Sequence, residues 1–390
     1  MYIHRTIEKR LEAAVGQFPV CLLTGPRQAG KSTLLQHCFK KFHYISLDDP
    51  LMRELSNRDP ELFLSSYPSP LIIDEIQYAP MLLSYIKIKV DSRRRECGQY
   101  ILTGSQTFQL MKGVSETLAG RIAIFQLYPL TWEEISHIPH HQKSAFDDIQ
   151  CANQIISGFY PEFFATPQMD KNLWLSSYLA TYIERDLRNI KAITDLTRFQ
   201  TFIGLLATRA GQLLKMSELA KEVGVSQPTI KDWISLLEAT YIIYILKPYH
   251  NNLSKRLVKT PKLYFVDTGI LCYLLGIDSS ERLFKAAERG HIFENMVVME
   301  YVKRLSASSE RSECFFYRTA SGTEVDLIIE RNRIIEAYEI KFAKMISKEG
   351  ARSLQIFREE HKTKIARLLS LQEQTIPLFE GITATHWNQY

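Results

Sequence analysis

The first third of the chain alternates short apolar runs with amphipathic helical stretches. The apolar runs stand at residues 20–23, 44–47, 71–73 and 100–102. Runs of this length between helical patterns are typical of strands that are buried on both faces of a parallel sheet. From residue 172 to about 245 the pattern becomes helical, and strand character returns at 262–267 and 315–341. The pattern predicts an α/β fold with a parallel-sheet core, a helical middle and a mixed α/β end.

The length of the chain, 390 residues, exceeds what one hydrophobic core usually serves. We expect three domains, at residues 1–140, 141–252 and 253–390. The apolar runs are too short to span a bilayer, and the N-terminus lacks the pattern of a signal peptide. We therefore expect a cytoplasmic protein without a membrane partner. The six cysteines contain no C-x-x-C pair, which argues against a disulfide framework or a zinc site.

A phosphate-binding motif follows the first apolar run. Residues 25–32 match G-x-x-x-x-G-K-[ST], between a predicted strand and a predicted helix, which is the context the motif requires. The backbone N–H groups of such a loop surround phosphate oxygens, and the helix N-terminus adds positive potential. We expect Lys31 to reach the β- and γ-phosphates and the Ser32 hydroxyl to ligate Mg²⁺. The expected nucleotide-binding residues are Gly25, Pro26, Arg27, Gln28, Ala29, Gly30, Lys31, Ser32, Thr33 and Asp74.

Two adjacent acids end the third apolar run, Asp74 and Glu75. A carboxylate at the carboxyl end of a buried strand lies beside the phosphate loop and can hold Mg²⁺ through water, a role we assign to Asp74. Glu75 would polarise the attacking water. Without the phosphate loop, the same pair would be read as a helix cap.

Two further positions are candidates for catalytic residues, but an ordinary structural role explains each of them equally well. Ser105 or Gln106, at the end of the fourth run, could sense the γ-phosphate, or could belong to an ordinary Gly-Ser turn. Arg121 could be an arginine finger for its own or a neighbour's nucleotide, or could form a surface salt bridge. A finger that acts on a neighbour would require a homo-oligomer.

The chain resembles prokaryotic AAA+ ATPases whose core is followed by a C-terminal domain of unknown function. The matching segments are 25–32, 74–77, 103–105, 118–121, 160–162, 259–269 and 324–326. The resemblance implies an AAA-type core, ATP rather than GTP as the nucleotide, and a cytosolic prokaryotic setting. It implies no biological role and no particular protein partner.

Residues 216–237 have the layout of a helix-turn-helix. Gly224 would make the turn, Ser226 would cap the second helix, and Pro228 suits its first turn. With a following strand at 241–246, we expect a winged helix. In a DNA reader Gln227, Thr229 and Lys231 would face the DNA; in the alternative reading the helices only pack against protein.

Positive charge is concentrated in the middle of the chain. The net charge is only +5, but Lys and Arg outnumber Asp and Glu between Glu184 and Lys262. Lys255, Arg256, Lys259 and Lys262 lie close together in sequence. Such a strip could bind DNA phosphates, although surface solvation explains it nearly as well.

The last group of candidate residues is Glu294, Asp326, Glu339 and Lys341. Residues 325–329 and 337–341 read as neighbouring strands joined near Asn332, and Glu339 and Lys341 leave the same face of their strand. The group resembles the D-x(n)-E-x-K pattern of restriction-endonuclease-like nucleases. That resemblance implies that Asp326 and Glu339 ligate Mg²⁺, that Lys341 stabilises or activates the attacking hydroxide and that Glu294 is an extra acid. The alternative is a salt-bridged cluster in a degenerate domain.

Two functions fit these observations. The first is an ATP-hydrolysing AAA+ protein whose nucleotide cycle controls a DNA-engaging, nuclease-like module. The second is a nucleotide-gated binding protein with slow or no turnover, whose degenerate nuclease-like domain recognises a protein or DNA partner. Steady ATP hydrolysis that DNA stimulates would favour the first.

Overall fold

In the computed structural model, the described residues are 2–104, 113–114, 116–138, 147–182, 195–249 and 259–389. Within these ranges, no helix combines the length and the apolar character that crossing a membrane requires.

Helices of the described residues alternate with strands along the chain. The α-helices are α1 (Glu8–Val15), α2 (Lys31–Cys38), α3 (Pro50–Arg58), α4 (Pro60–Ser66), α5 (Leu82–Ser92), α6 (Trp132–Ser136), α7 (Asp148–Ser157), α8 (Glu162–Ala165), α9 (Lys171–Tyr182), α10 (Leu196–Ala207), α11 (Met216–Val223), α12 (Gln227–Ala239), α13 (Thr268–Leu274), α14 (Ser280–Lys285), α15 (Arg289–Ala307) and α16 (Arg352–His361). Short 3₁₀ turns lie at Ile76–Tyr78 and Lys348–Ala351.

The strands form two sheets. They are β1 (Val20–Thr24), β2 (His43–Ser46), β3 (Leu71–Asp74), β4 (Tyr100–Gly104), β5 (Ile122–Gln126), β6 (Ile243–Pro248), β7 (Lys262–Phe265), β8 (Ser312–Arg318), β9 (Glu324–Arg331), β10 (Ile334–Ile340), β11 (Ile365–Ser370), β12 (Ile376–Phe379) and β13 (Ile382–His386).

The N-terminal sheet has the order β2-β3-β4-β1-β5, and all its strand pairs are parallel. The prediction of a parallel α/β core is therefore confirmed. The side chains of β1, β3 and β4 are buried. Those of β2 are exposed or half-buried, so predicted burial on both faces is wrong for this strand, because it forms an edge of the sheet. The other edge, β5, is not among the predicted strands.

The C-terminal sheet has the order β12-β13-β11-β10-β9-β8-β6-β7 and crosses the predicted boundary between residues 252 and 253. The reason is that β6 has two partners. It pairs antiparallel with β7 and parallel with β8. Strands β6 and β7 thus belong both to the helical middle and to the C-terminal sheet. The two regions share one hydrophobic core, which includes Trp233, Phe293 and Trp387.

Helix α15 joins the C-terminal sheet to the N-terminal domain. Near its C-terminal end, Glu300 Oε2 accepts a hydrogen bond of 2.8 Å from the backbone N–H of Trp132. The Lys303 ammonium donates to the carbonyl of Leu130 at 3.3 Å. Near its start, the same helix carries Glu294. One rigid helix therefore connects the segment after β5 with the carboxylate group of the C-terminal sheet.

The buried carboxyl of Glu300 makes this contact dependent on pH. Burial raises the pKa of Glu300 to about 7, against the opposing effect of the hydrogen bond from Trp132. Between about pH 4.5 and 7, the Glu300 carboxyl is therefore protonated in the folded protein and ionised in the unfolded chain. The stabilisation from this proton is complete below that window and is lost as the pH rises through about 7.

We expect Glu300→Gln to be more stable than the parent by about 1–3 kcal/mol at pH 8 and equally stable near pH 5, because glutamine accepts the same hydrogen bond without a charge. Urea unfolding at the two pH values measures this difference. The control, Glu12→Gln, neutralises an exposed carboxylate and should show no such pH dependence. A Glu300→Gln protein less stable than the parent at pH 8 would contradict the prediction.

Candidate nucleotide site and carboxylate cavity

The loop between β1 and α2 has the backbone conformation of a phosphate cradle. Gly25 has φ 150°, Gln28 62° and Gly30 88°. A Cβ at Gly25 would lie 2.1 Å from the carbonyl oxygen of Leu127. Only glycine fits there, because the loop passes directly over the segment after β5.

Lys31, the first residue of α2, is buried beneath this loop. Its Nζ donates to the carbonyls of Gly25 at 3.0 Å and Pro26 at 2.8 Å. Burial lowers the pKa of Lys31 to about 8, although Glu75 and Asp74 favour its charged form. The loop's own carbonyls thus occupy the lysine in this structure, and phosphate oxygens are stronger partners for its charge.

Asp74 collects hydrogen bonds from several elements at the carboxyl edge of the sheet. Its Oδ2 accepts from Ser32 Oγ at 2.7 Å and from the hydroxyl of Tyr44. Its Oδ1 accepts from the hydroxyl of Thr103 at the end of β4, and from the backbone N–H of Glu75 at 3.1 Å. These bonds fix the carboxylate beside Lys31 and Ser32.

Glu75 has a left-handed backbone, with φ 57°. A non-glycine residue in this region carries strain, and such residues concentrate at functional sites. Its carboxylate accepts a hydrogen bond from the side-chain amide of Gln77. A fixed backbone and a fixed carboxylate together aim Glu75 into the cavity beside the loop.

Two cavities adjoin the phosphate loop. One, of about 390 Å³, includes Arg27, Lys31, Ser32 and Glu75 in its lining, together with Tyr178 and Thr181 of α9. The other, of about 150 Å³, also includes Gly30 in its lining. Its walls combine the apolar side chains Ile3, Leu34, Leu130, Pro161 and Ala165 with the polar or charged side chains Tyr2, Arg5, Gln28, Thr33 and Glu162. Two cavities of different character therefore adjoin the loop.

Arg5, which the sequence analysis did not identify, forms hydrogen bonds with the backbone of the phosphate loop and of the segment after β5. Its guanidinium donates to the carbonyls of Ala29 at 2.8 Å and Tyr128 at 2.7 Å. Its Nε lies 3.1 Å from Glu134 Oε2, and both side chains are buried. Nothing in the local sequence marks Arg5, because its partners lie 24 to 129 positions away.

The predicted C-terminal residues meet in a cavity of about 630 Å³. Its walls carry Glu294, Asp326, Glu339 and Lys341, joined by residues of the helical middle, Arg209, Gln212 and Lys215. Strands β9 and β10 are antiparallel, with the turn at Asn332 and Arg333. The strand pairing predicted for this segment is therefore confirmed.

Lys262 is one of the residues that line this cavity, and three carboxylates contact its ammonium. Its Nζ lies 2.8 Å from Glu294 Oε1, 2.6 Å from Glu324 Oε1 and 3.5 Å from Asp326 Oδ1. The residue is 2% exposed. The prediction that places Lys262 in a surface strip for DNA phosphates is wrong, because three carboxylates hold its ammonium inside the protein. Lys259 is exposed, whereas Lys255 and Arg256 lie outside the described residues.

The other carboxylates of the cavity differ in their surroundings. Asp326 Oδ2 accepts the backbone N–H of Ile340 at 2.9 Å. Lys341 Nζ donates to Glu339 Oε1 at 2.6 Å, and Glu339 Oε2 is buried without a hydrogen-bond partner. Burial and the neighbouring Asp326 raise the pKa of Glu339 well above its usual range. Burial and Glu294 raise the pKa of Asp326.

The position of Lys262 affects whether the expected ligands Asp326 and Glu339 can bind Mg²⁺. Across the described ranges, no three His, Cys, Asp or Glu side chains are arranged to hold a metal ion. Since Lys262 stands between the carboxylates, a ready-made metal site is absent from this part of the structure.

The helix pair α11–α12 has the turn that the sequence predicts. Gly224 has φ 74°, and Ser226 Oγ accepts the backbone N–H of Thr229 at 3.2 Å. Gln227 and Lys231 are exposed, and Thr229 is half-buried. The hairpin β6–β7 follows α12 directly.

Comparison with known proteins identifies the N-terminal region. Residues 17–136 match the family model described as AAA domain. Residues 150–281 and 289–390 match two models described as domains of unknown function, DUF8612 and DUF4143. The proteins Rv2008c of Mycobacterium tuberculosis and Mb2031c of Mycobacterium bovis are each 31% identical to this chain over 338 residues, covering 86% of this chain and 73% of theirs.

The chain belongs to the family of these two mycobacterial proteins. Its N-terminal sheet is an AAA-type P-loop ATPase fold. Among solved structures, the Walker-type ATPase PABY2304 of Pyrococcus abyssi has 16% sequence identity and a TM-score of 0.48, with 70% of this chain and 96% of that chain covered.

Within the AAA domain, Arg121 lies at the edge of the sheet opposite the phosphate loop. It directly precedes β5, whose start pairs with the start of β1, whereas the loop follows the end of β1, roughly 15 Å along the strands. Its guanidinium forms a two-pronged pair with Asp91, at 2.6 and 3.1 Å. A role of Arg121 on its own nucleotide does not fit this position. Ser105 and Gln106 lie outside the described residues.

Proposed function

We propose that the AAA domain binds and hydrolyses ATP together with Mg²⁺. The observation that carries this proposal is the network in which Asp74 joins Ser32, Tyr44 and Thr103 directly beside the buried Lys31. This places a lysine, a hydroxyl and a carboxylate around one point at the loop. Phosphoryl transfer in P-loop ATPases depends mainly on such positioning and charge compensation.

The oxygen donors of this network fit Mg²⁺, which prefers hydroxyl, carboxylate and water oxygens. Ser32 would hold the ion directly and Asp74 through water; when bound, the ion compensates phosphate charge. Lys31 would leave the carbonyls of Gly25 and Pro26 for the phosphates. Glu75, held by Gln77, would accept a proton from the attacking water.

The cavity pair supports a nucleotide rather than a lone phosphate. Gly30 of the loop lines both a polar cavity with Lys31 and Glu75 and a smaller cavity whose walls include Ile3 and Leu130. A nucleotide combines charged phosphates with a flat base that has apolar faces. The smaller cavity would take the base of ATP, against Ile3 and Leu130.

We further propose that residues 195–389 form a DNA-engaging, nuclease-like module that contains a winged helix. Antiparallel β9 and β10 bring Asp326, Glu339 and Lys341 into one cavity, in the order of the D-x(n)-E-x-K pattern. The helix pair α11–α12 and the hairpin β6–β7 have the order of a winged helix. Arg209 and Lys215 extend from this segment to the same cavity.

Two contacts support control of the module by the nucleotide. Thr24, the residue before the phosphate loop, has its Oγ1 3.0 Å from the hydroxyl of Tyr241, which precedes β6. Glu300 of α15 holds the backbone of Trp132 in the AAA domain. Movement of the loop on nucleotide binding would reach the module through both contacts. Arg121 would act in trans, in a homo-oligomer.

A second candidate function is a nucleotide-gated binding protein with slow or no turnover. The observation in its favour is Lys262, whose ammonium pairs with three carboxylates of the cavity where a nuclease would hold a metal ion. In this case the module would recognise DNA or a protein without cutting DNA.

The test is the rate of ATP hydrolysis with and without single- and double-stranded DNA across a salt series. We expect DNA to raise the rate several-fold at low salt and to lose this effect as salt increases, because phosphate contacts release counterions. Tyr241→Phe, which removes only the hydroxyl that meets Thr24, should keep the rate without DNA and lose the stimulation. Tyr244→Phe, three residues further along the chain in β6, is the matched control. Tight ATP binding with negligible hydrolysis would favour the second candidate, and a DNA-independent rate at every salt concentration would contradict the DNA proposal.

A further inference from the structure

Lys262 is a buried cation that three carboxylates from two elements share. Glu294 comes from α15, and Glu324 and Asp326 come from β9. The ammonium lies between 2.6 and 3.5 Å from an oxygen of each. It therefore occupies the point toward which these oxygens converge.

Lys262 contacts three of the carboxylates that line the cavity, and one of these, Glu324, also pairs with Arg318 at 2.7 Å. Glu339 lies outside the group that Lys262 contacts. Glu339, whose side chain is 9% exposed, lines the same cavity with an oxygen that has no hydrogen-bond partner. Lys341 meets only its other oxygen. Glu339 Oε2 is thus an available buried oxygen ligand beside Asp326.

Divalent cations such as Mg²⁺ and Mn²⁺ bind convergent carboxylate oxygens. A single ammonium at the same point offers less charge and excludes a metal ion by its volume and its repulsion. The cavity has both the ligands for a divalent cation and a resident side chain that competes with that ion.

We propose that Lys262 is a built-in competitor for a divalent cation, and that Glu294, Asp326 and Glu339 bind the cation when Lys262 withdraws. The inference deepens the proposed nuclease-like module by naming what regulates its metal site. Lys262 thereby keeps the cavity closed to metal ions in the resting protein.

Lys262 and Glu294 are each connected to the AAA domain, so a change in that domain could control whether Lys262 or a metal ion occupies the cavity. Lys262 lies on β7, whose partner β6 begins two residues after Tyr241, the residue that meets Thr24. Glu294 lies on α15, whose other end holds Trp132. A shift between these two attachments changes the separation of Lys262 from Glu294 and so opens the cavity.

Titration of the nucleotide-free full-length protein with Mn²⁺, followed by electron paramagnetic resonance, tests the proposal. Lys262→Met removes the charge and keeps an apolar chain of similar length, and we expect it to bind Mn²⁺ at least about tenfold more tightly than the parent. Adding Asp326→Asn should abolish the gain, which assigns the new site to the cavity rather than to Asp74. Lys215→Met, a control that removes a cation from the rim of the same cavity, should change the affinity less than about twofold.

The outcome of this titration is independent of DNA cleavage and of ATP hydrolysis, so failure of the proposed function and failure of this inference are distinguishable. A folded Lys262→Met protein with the Mn²⁺ affinity of the parent overturns the inference. If Lys262→Met fails to fold in metal-free buffer, Mn²⁺ should restore its cooperative thermal transition, whereas NaCl of equal ionic strength should not. Absence of that rescue also overturns the inference.

Discussion

Replacing Glu75 with glutamine is expected to lower the rate of ATP hydrolysis by about 10²–10⁴-fold while ATP affinity stays within about twofold of the parent. The reason is that, in the proposed mechanism, Glu75 activates the attacking water whereas Lys31 and the loop hold the phosphates. Its left-handed backbone and the hydrogen bond from Gln77 fix it beside the cavity. Glutamine keeps the shape and loses the capacity to accept a proton.

Lys31→Ala is expected to abolish detectable ATP binding, because Lys31 is the only buried cation among residues 25–32, all of which the structure describes. Phosphate release and the fluorescence of a labelled ATP analogue measure the two properties separately. Glu54→Gln, which neutralises an exposed carboxylate of the same domain, is the control. Hydrolysis by Glu75→Gln at the rate of the parent would refute the assignment of the base.

The second large effect is expected at Arg5. Arg5→Met should lower the free energy of unfolding by about 3–5 kcal/mol, because it leaves the buried carboxylate of Glu134 without its ion pair and two carbonyls without a donor. Since one of those carbonyls belongs to Ala29 of the phosphate loop, ATP affinity should fall as well. Urea unfolding and ATP titration measure the two losses.

Two further variants separate the loss of charge pairing from a general effect of methionine. Lys9→Met, at an exposed position of α1, should change stability by less than about 0.5 kcal/mol. Combining Arg5→Met with Glu134→Gln should recover part of the loss, because the carboxylate no longer carries an unpaired charge. A loss below about 1 kcal/mol in Arg5→Met would mean that solvent or another group replaces the arginine.

Local patterns in the sequence predicted the candidate nucleotide site. The glycines of the phosphate loop, Lys31, Ser32 and the acids after β3 are recognisable because they lie in short motifs beside a strand and a helix, and parallel strands bring their carboxyl ends to one edge. The same local logic predicted β9, the turn at Asn332 and β10, with Glu339 and Lys341 on one face.

The tertiary structure alone decided which residues complete these sites. Lys262 lies in a basic stretch that reads as surface, yet three carboxylates enclose it, because α15 and β9 bring Glu294, Glu324 and Asp326 to its ammonium. Arg5 meets Ala29 and Glu134, and Tyr241 meets Thr24, across separations that carry no periodic signal. Arg121 was a candidate by type, and only the strand register showed that it is remote from its own phosphate loop. Motifs encode contacts between neighbours in sequence, whereas the burial and pairing of a charge depend on which distant elements pack against it.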